Sequence, residues 1–239
     1  MPLNNLKVKL FADGADMSTI IELYRNPLIK GFTTNPTLMR KAGIQEYKGF
    51  ALEVLSAVPD RPISFEVFAD EFPEMHRQAR EIASWGENVY VKIPITNTRG
   101  ESSAELVSDL SKDGVKVNVT AMMTLEQVDQ ILAALTQVDS APSYLSIFAG
   151  RIADTGRDPE PIIQETVNRI KSHPKIELIW ASPREILNVW QADRCGCHII
   201  TATGDVLKKM ALAGKDLNTY SLETVKMFHD DARAAGYSF

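Results

Sequence analysis

Asn88-Val-Tyr-Val-Lys-Ile-Pro94 sets one lysine inside an otherwise apolar run. Val, Ile and Tyr in a short stretch with few charges read as a strand covered on both faces, as in a parallel sheet. Lysine is depleted in strands and almost never fully buried without a partner. Lys92 therefore needs a carboxylate, a route to solvent, or a chemical task.

Similar runs recur on either side of it. The strand candidates are Val8–Ala12, Ile29–Thr33, Ile63–Phe68, Val89–Ile93, Val115–Val119, Tyr144–Ala149, Ile176–Ala181 and His198–Thr201, eight in all. Helix signals lie between them. Asp16-Met-Ser-Thr opens a run with Ile20, Ile21, Leu23 and Tyr24, and Thr124-Leu-Glu-Gln has the pattern of a capping box. Asp158-Pro-Glu-Pro suits a first helical turn, and Gly204-Asp205 precedes Val206–Leu212. Tyr47–Val58 is helical too, so the second connection has room for two helices. Strict alternation implies a parallel sheet. Eight such units in 239 residues imply a closed barrel. The expected fold is of the α/β class: a single (β/α)8 TIM barrel domain over residues 1–239, with about 219–239 as a helical extension built on a last helix near Leu222–Ala235. The absence of a Gly-x-Gly-x-x-Gly fingerprint argues against a dinucleotide site.

Composition sets outer bounds. With 44% hydrophobic and 24% charged residues the chain reads as an ordinary globular protein. A net charge of −5 gives no nucleic-acid footprint, so an anionic substrate would be caught by local arginines. No apolar run reaches the roughly 18 residues of a membrane helix, and Met1-Pro-Leu-Asn-Asn-Leu-Lys7 has no signal-peptide core. Cys195-Gly-Cys197 is too closely spaced for a good disulfide and is half a metal site at best. It reads as small residues packed in a strand of a protein kept in a reducing compartment. A cytoplasmic protein without membrane or nucleic-acid partners is expected. His76, His173, His198 and His229 lack metal-ligand spacing, so no metal site is expected.

In such a barrel the chemistry sits where strands run into the loops that follow them. Polar residues fall at all eight of those places: Asp13; Thr33, Thr34 and Asn35; Glu66; Lys92; Asn118 and Thr120; Ser146, leading to Arg151 and Asp154; Ser182 and Arg184; Thr201 and Thr203. Burial favours the neutral form of a lysine. A neutral amine attacks a carbonyl to form an imine, and the protonated imine draws electrons from an adjacent C–C bond. The alternative for Lys92 is a pair with Glu66 or a path to water. Asp13 and Glu66 offer carboxylates for proton transfer, although an Asp after a strand also serves as a helix cap. Arg151, Arg184, Ser182 and Ser146 suit a phosphate, with helix N-termini after strands seven and eight as further donors. Either arginine could instead form a surface ion pair.

Taken together, Phe11-Ala-Asp13, Gly31-Phe-Thr-Thr-Asn-Pro-Thr37, Val91-Lys-Ile-Pro94, Asn118-Val-Thr120, Gly150-Arg-Ile152 and Ala181-Ser-Pro-Arg184 resemble the transaldolase family, and the length is like that of its short bacterial members. The motifs follow the family's order and cover most of the chain. The resemblance implies that Lys92 is the Schiff-base lysine and that Asp13 takes the proton from the donor's C4 hydroxyl. Glu66 and Thr120 would hold a catalytic water. Thr34, Asn35, Asn118, Ser146 and Phe148 would line the substrate site, with Asn35, Asn118 and Ser146 orienting a dihydroxyacetone unit. Arg151, Ser182 and Arg184 would bind phosphate, and no metal or organic cofactor would be needed. Related fructose 6-phosphate aldolases carry Gln in place of Glu66 and Tyr in place of Phe148, so this chain resembles the transferases at both positions. It departs from the common pattern at Ile147, where proline is usual, and at Pro183, where an aromatic is common. A dihydroxyacetone-releasing aldolase and a non-catalytic sugar-phosphate-binding barrel are the competing readings. A two-lysine aldolase barrel fits less well, because strands six and seven lead to Arg151 and Arg184. The expected partners are small-molecule sugar phosphates. A homo-oligomer is expected, through a C-terminal helix carrying Leu222, Val225, Met227 and Phe228, as in ring assemblies of short family members.

Overall fold

The computed structural model describes residues 5–136 and 140–238. The first four residues of the N-terminal stretch read above, and Phe239 of the extension, lie outside them. Eight parallel strands close in sequence order into a barrel: β1 Lys9–Asp13, β2 Ile29–Thr33, β3 Ile63–Glu66, β4 Val89–Pro94, β5 Val117–Met122, β6 Ser143–Ile147, β7 Ile176–Trp180 and β8 Ile199–Thr203. Among the described residues the helices are α1 Met17–Tyr24, α2 Pro36–Lys41, α3 Tyr47–Ala57, α4 Phe72–Ala83, α5 Ala104–Lys112, α6 Leu125–Thr136, α7 Ala149–Asp154, α8 Glu160–Ile170, α9 Leu187–Arg194, α10 Gly204–Lys208 and α11 Leu217–Ala234. The second connection does hold two helices, α2 and α3. The capping box forms: Gln127 N–H reaches Thr124 Oγ1 at 3.2 Å, and Gln127 Oε1 accepts from Thr124 N–H at 3.2 Å.

Several boundaries differ from the sequence reading, each for a local reason. β5 starts at Val117, not Val115, because Val115 N–H is tied back to the Leu110 carbonyl at the end of α5. β3 stops at Glu66, not Phe68: the Phe68 and Ala69 N–H groups both go to Gln78 Oε1 on α4. β6 stops at Ile147 because Phe148 already caps α7. The last helix begins at Leu217, ahead of the expected 219–222 region, because Asp216 accepts from Thr219 N–H at 2.8 Å. Cys195 and Cys197 are buried but lie outside the strands: one ends α9 and the other precedes β8. Burial pushes the Cys197 thiol up to about 12.

Side chains alternate across a strand with a period of two. In β1 this sends Leu10 and Ala12 to the large apolar cluster beneath the helices, and Phe11 and Asp13 to the other face. The same alternation turns Tyr90 and Lys92, Tyr144 and Ser146, and Ile199 and Thr201 into the barrel. The interior is thereby divided into layers. Its middle is apolar, with Phe11, Tyr144, Ile179 and Ile199 buried together and Tyr90 stacked on Tyr144 at 3.9 Å between ring centres. Phe11 has room only because residue 31 is glycine; a Cβ there would lie 2.5 Å from the Phe11 ring. Above this floor, toward the C-terminal strand ends, Asp13, Thr33, Glu66, Lys92, Asn118, Ser146 and Thr201 line a cavity.

The rim of the barrel is fixed by one close backbone approach. Ser182, after β7, has a left-handed backbone (φ 60°), and its carbonyl presses against Gly150 in α7. A Cβ at residue 150 would sit 1.6 Å from that carbonyl oxygen. Only glycine permits the contact, and it holds Ser182 and Arg184 beside Arg151. Gly150→Ala is therefore expected to lower stability by roughly 1–3 kcal/mol, because backbone has to move. Urea unfolding of the purified variant checks this; an unchanged midpoint contradicts it.

Candidate active site

A cavity of about 410 Å3 opens at the C-terminal ends of the strands. Every residue expected at the site lines it except Thr34. The exception follows from the pleat. Thr33 faces inward, so Thr34 faces out, toward Phe50 and Val54. What Thr34 contributes to the site is its carbonyl.

Lys92 is buried, 5% exposed. Its Nζ lies 3.1 Å from Glu66 Oε2 and donates to the Thr34 carbonyl at 3.0 Å. The register explains the meeting. Glu66 of β3 stands directly beside Lys92 of β4, and Lys92 beside Asn118 of β5. Neighbouring strands are about 4.8 Å apart, so inward side chains on one level are forced together. The pair with Glu66 that the sequence left as an alternative is real, and it sits inside the cavity.

Asp13 is half-buried at the cavity wall. Thr33 Oγ1 donates to Asp13 Oδ1 at 2.7 Å and lies 2.6 Å from Thr201 Oγ1. Burial pushes the Asp13 carboxyl above the usual carboxylate range; Lys92 and the Thr33 hydroxyl pull the other way, and Glu66 adds to the rise. The helix-cap alternative for Asp13 does not hold. Asp16 caps α1, accepting from Thr19 N–H at 2.8 Å.

A second polar chain crosses the mouth. Ser146 Oγ donates to Asn118 Oδ1 at 2.7 Å, and Asn118 Nδ2 donates to Ser64 Oγ at 3.0 Å. This fixes which way the Asn118 amide points. Thr120 Oγ1 is buried and has no hydrogen-bond partner among the described residues. A buried hydroxyl without a partner is costly unless something in the cavity bonds to it. Thr120 leads into a register shift between Val119 and Met122, where Ala121 takes a left-handed backbone (φ 62°). Irregularities of this kind re-aim side chains next to sites. Asn35 Oδ1 caps α2 by accepting from Leu38 N–H at 3.0 Å, which leaves its NH2 for the cavity.

On the opposite rim, Arg184 Nε donates to Asp154 Oδ1 at 3.0 Å, and Arg184 Nη2 bonds Asp154 Oδ2. The guanidinium holds the Asp154 carboxyl below its usual range. Arg184 thus forms the surface ion pair that the sequence left open and still lines the cavity beside Arg151, Ser182 and Pro183. Sequence reasoning put Thr33 and Thr201 at the strand ends without giving either a role, and did not single out Ser64. Their signal was available: each shares the inward phase of the charged residue on its own or the adjacent strand. Among the described residues, no group of three or more His, Cys, Asp or Glu is placed to hold a metal ion. Nor is any described helix long and apolar enough to cross a membrane.

The family described as Transaldolase/Fructose-6-phosphate aldolase matches residues 10–238. A relative named "Probable transaldolase" from Dehalococcoides mccartyi is 35% identical over 204 residues, covering 85% of this chain and 90% of the relative. Another of that name, from Caldicellulosiruptor saccharolyticus, is 38% identical over 205 residues, covering 85% and 89%. A third, from Thermoanaerobacter sp. (strain X514), is 34% identical and covers 96% of this chain and 99% of its own. Among solved structures, orotidine 5'-monophosphate decarboxylase from Metallosphaera sedula superposes with a TM-score of 0.54 at 12% identity, covering 92% of this chain and 97% of that one. At that identity the likeness concerns the fold.

The raised pKa of Asp13 has a consequence for stability. The folded state holds its proton more tightly than the unfolded chain, so the protonated form stabilises at low pH, and this is lost as pH rises through the folded pKa. Asp13→Asn removes the penalty of the buried charge. The variant is expected to melt above the wild type at neutral pH, with the gap closing as the pH falls below the Asp13 pKa. Melting curves from pH 4 to 8 check this; a gap that widens toward acid refutes it.

Proposed function

This chain belongs to the transaldolase/fructose-6-phosphate aldolase family, and from that membership and the geometry around Lys92 we propose a transaldolase acting through a lysine Schiff base. It moves a dihydroxyacetone unit from a ketose phosphate, sedoheptulose 7-phosphate or fructose 6-phosphate, to an aldose phosphate, glyceraldehyde 3-phosphate or erythrose 4-phosphate. The observation that carries the reading is a buried lysine within 3.1 Å of a carboxylate, in a cavity whose wall carries a second carboxyl, Asp13.

Each group has a place in that chemistry. Glu66 takes a proton from the Lys92 ammonium, and the neutral amine adds to the ketose carbonyl. Loss of water from the adduct leaves an imine, whose protonated form is the electron sink. Asp13 removes the proton from the C4 hydroxyl, the C3–C4 bond breaks, and its electron pair moves to the iminium to give an enamine. The aldose departs, and the enamine adds to an incoming aldehyde by the same steps in reverse. A carboxyl with a raised pKa suits Asp13, because it must both take a proton and return it. Glu66 and the free Thr120 hydroxyl hold the water that carries protons near the imine. Asn35, Asn118 and Ser146 orient the hydroxyls of the three-carbon unit, and Phe148 lines its pocket. Arg151, Ser182 and Arg184 take the phosphate. Glu66 and Phe148 favour transfer over release of dihydroxyacetone, since the family's aldolases resemble this chain but carry Gln and Tyr there. We place the enzyme in the cytoplasm, in pentose phosphate interconversion. We read it as a homo-oligomer that uses α11, on which Leu217, Leu222, Val225 and Phe228 are exposed.

Fructose 6-phosphate supplied with erythrose 4-phosphate is expected to give transfer product much faster than fructose 6-phosphate alone gives free dihydroxyacetone. Borohydride with the donor should fix a three-carbon adduct on Lys92, read by peptide mass spectrometry, and Lys92→Ala should lose both adduct and turnover. Asp13→Ala should lose roughly 10²–10⁴-fold in turnover. Equal dihydroxyacetone release with and without acceptor refutes transfer; full turnover by Lys92→Ala refutes the Schiff base.

A further inference from the structure

Tyr47 lies on α3, outside the barrel wall, yet its hydroxyl touches the backbone of Glu66 twice. Tyr47 Oη donates to the Glu66 carbonyl at 2.7 Å and accepts from the Glu66 N–H at 2.9 Å. The strand ladder explains why this position needs a substitute partner. β2 and β3 pair only at Phe32 with Ile63 and Thr33 with Ser64. Phe32 N–H bonds the Pro62 carbonyl and Thr34 N–H bonds the Ser64 carbonyl, so even-numbered residues of β3 face β2. Val67 N–H bonds the Lys92 carbonyl, so odd-numbered ones face β4. One further rung of a parallel ladder would send Glu66 N–H to the Thr34 carbonyl. That carbonyl is instead the acceptor for Lys92 Nζ, and β2 turns away at Asn35 to start α2.

Both Glu66 backbone groups would be left without partners in a buried place, which is costly. The Tyr47 hydroxyl meets both needs, because a phenol is donor and acceptor at once. Its ring is held from outside by Phe68 and Trp85, at 5.6 and 5.9 Å between centres. Burial also pushes the phenol well above its ordinary pKa, so it stays protonated and able to donate.

We propose that Tyr47 is a positioning residue for both reacting groups: by standing in for the missing rung at Glu66, it fixes the base and keeps the Thr34 carbonyl for the Lys92 amine. Without the hydroxyl, Glu66 N–H competes with Lys92 for the Thr34 carbonyl, and the strand end that carries the Glu66 carboxylate shifts. The role rests on the reading that Lys92 forms the imine with Glu66 as its base.

Tyr47→Phe keeps the ring and removes only the hydroxyl. Rapid-quench borohydride trapping with fructose 6-phosphate reads the rate of imine formation, next to steady-state kcat and KM and the melting temperature. Trapping rate and kcat are expected to fall together, roughly ten- to a hundredfold, with KM little changed, since the phosphate rim is untouched. Trp85→Phe, which disturbs the same aromatic packing from outside, is expected to lower the melting temperature without slowing trapping. Wild-type trapping by Tyr47→Phe overturns the proposal. So does equal slowing by both variants, which would mean general loosening of the fold. If the wild type itself gives no adduct on Lys92, the imine reading fails and this role falls with it, a result distinct from the other two.

Discussion

The Lys92–Glu66 pair is the constraint around which the mouth of the barrel is arranged. Two charges withdrawn from water cost more than their attraction returns unless their remaining hydrogen-bonding capacity is met. Such a pair is weak evidence for stability, and it lies in the cavity at the strand ends where barrels of this kind carry their chemistry. Its existence follows from topology: parallel strands in sequence order set β3 beside β4, and the register sets Glu66 beside Lys92. The Thr34 carbonyl meets part of what the ammonium needs, and the Tyr47 hydroxyl meets what the Glu66 backbone needs.

Beneath the pair lies an apolar floor. Phe11, Tyr90 and Tyr144 pack together in the middle of the barrel, between the cavity and the N-terminal end, where Lys9 pairs with Glu177. Lys92, Glu66 and Asp13 are backed by rings on one side and open to the cavity on the other. This one-sided access sets the surroundings of Asp13: the Thr33 hydroxyl bonds its carboxyl, and Lys92 offsets part of the desolvation. The same floor depends on Gly31, so a residue with no side chain supports the desolvation of a residue two positions further along the neighbouring strand.

Most of the architecture was legible in the sequence because parallel strands buried on both faces announce themselves by composition, and the residues at their ends are conspicuous for being polar. The phase of each strand was legible too, yet the strand ends were read for polar residues without it. Hence Thr34 was expected in the cavity, when alternation places Thr33 there. Strand ends were misjudged where a helix residue captures the next backbone donor, as Gln78 does after Glu66 and Leu110 does before Val117. These captures join residues whose side chains carry no local pattern. Tyr47 was hidden for the same reason: it reads as an ordinary aromatic on an amphipathic helix, and its partner is a backbone that no sequence pattern reports.

The grip of Asp154 on Arg184 bears on how any anion settles at the rim. A carboxylate already seated on the guanidinium is a tethered competitor at a fixed local concentration. The free energy of phosphate capture there is a difference: what the phosphate gains on Arg184, less what Asp154 gives up. A dianion can outbid a single carboxylate, and a neutral hydroxyl cannot. On the proposed reading, the rim discriminates by charge before a sugar reaches Lys92, and unphosphorylated sugars meet an arginine that is already engaged.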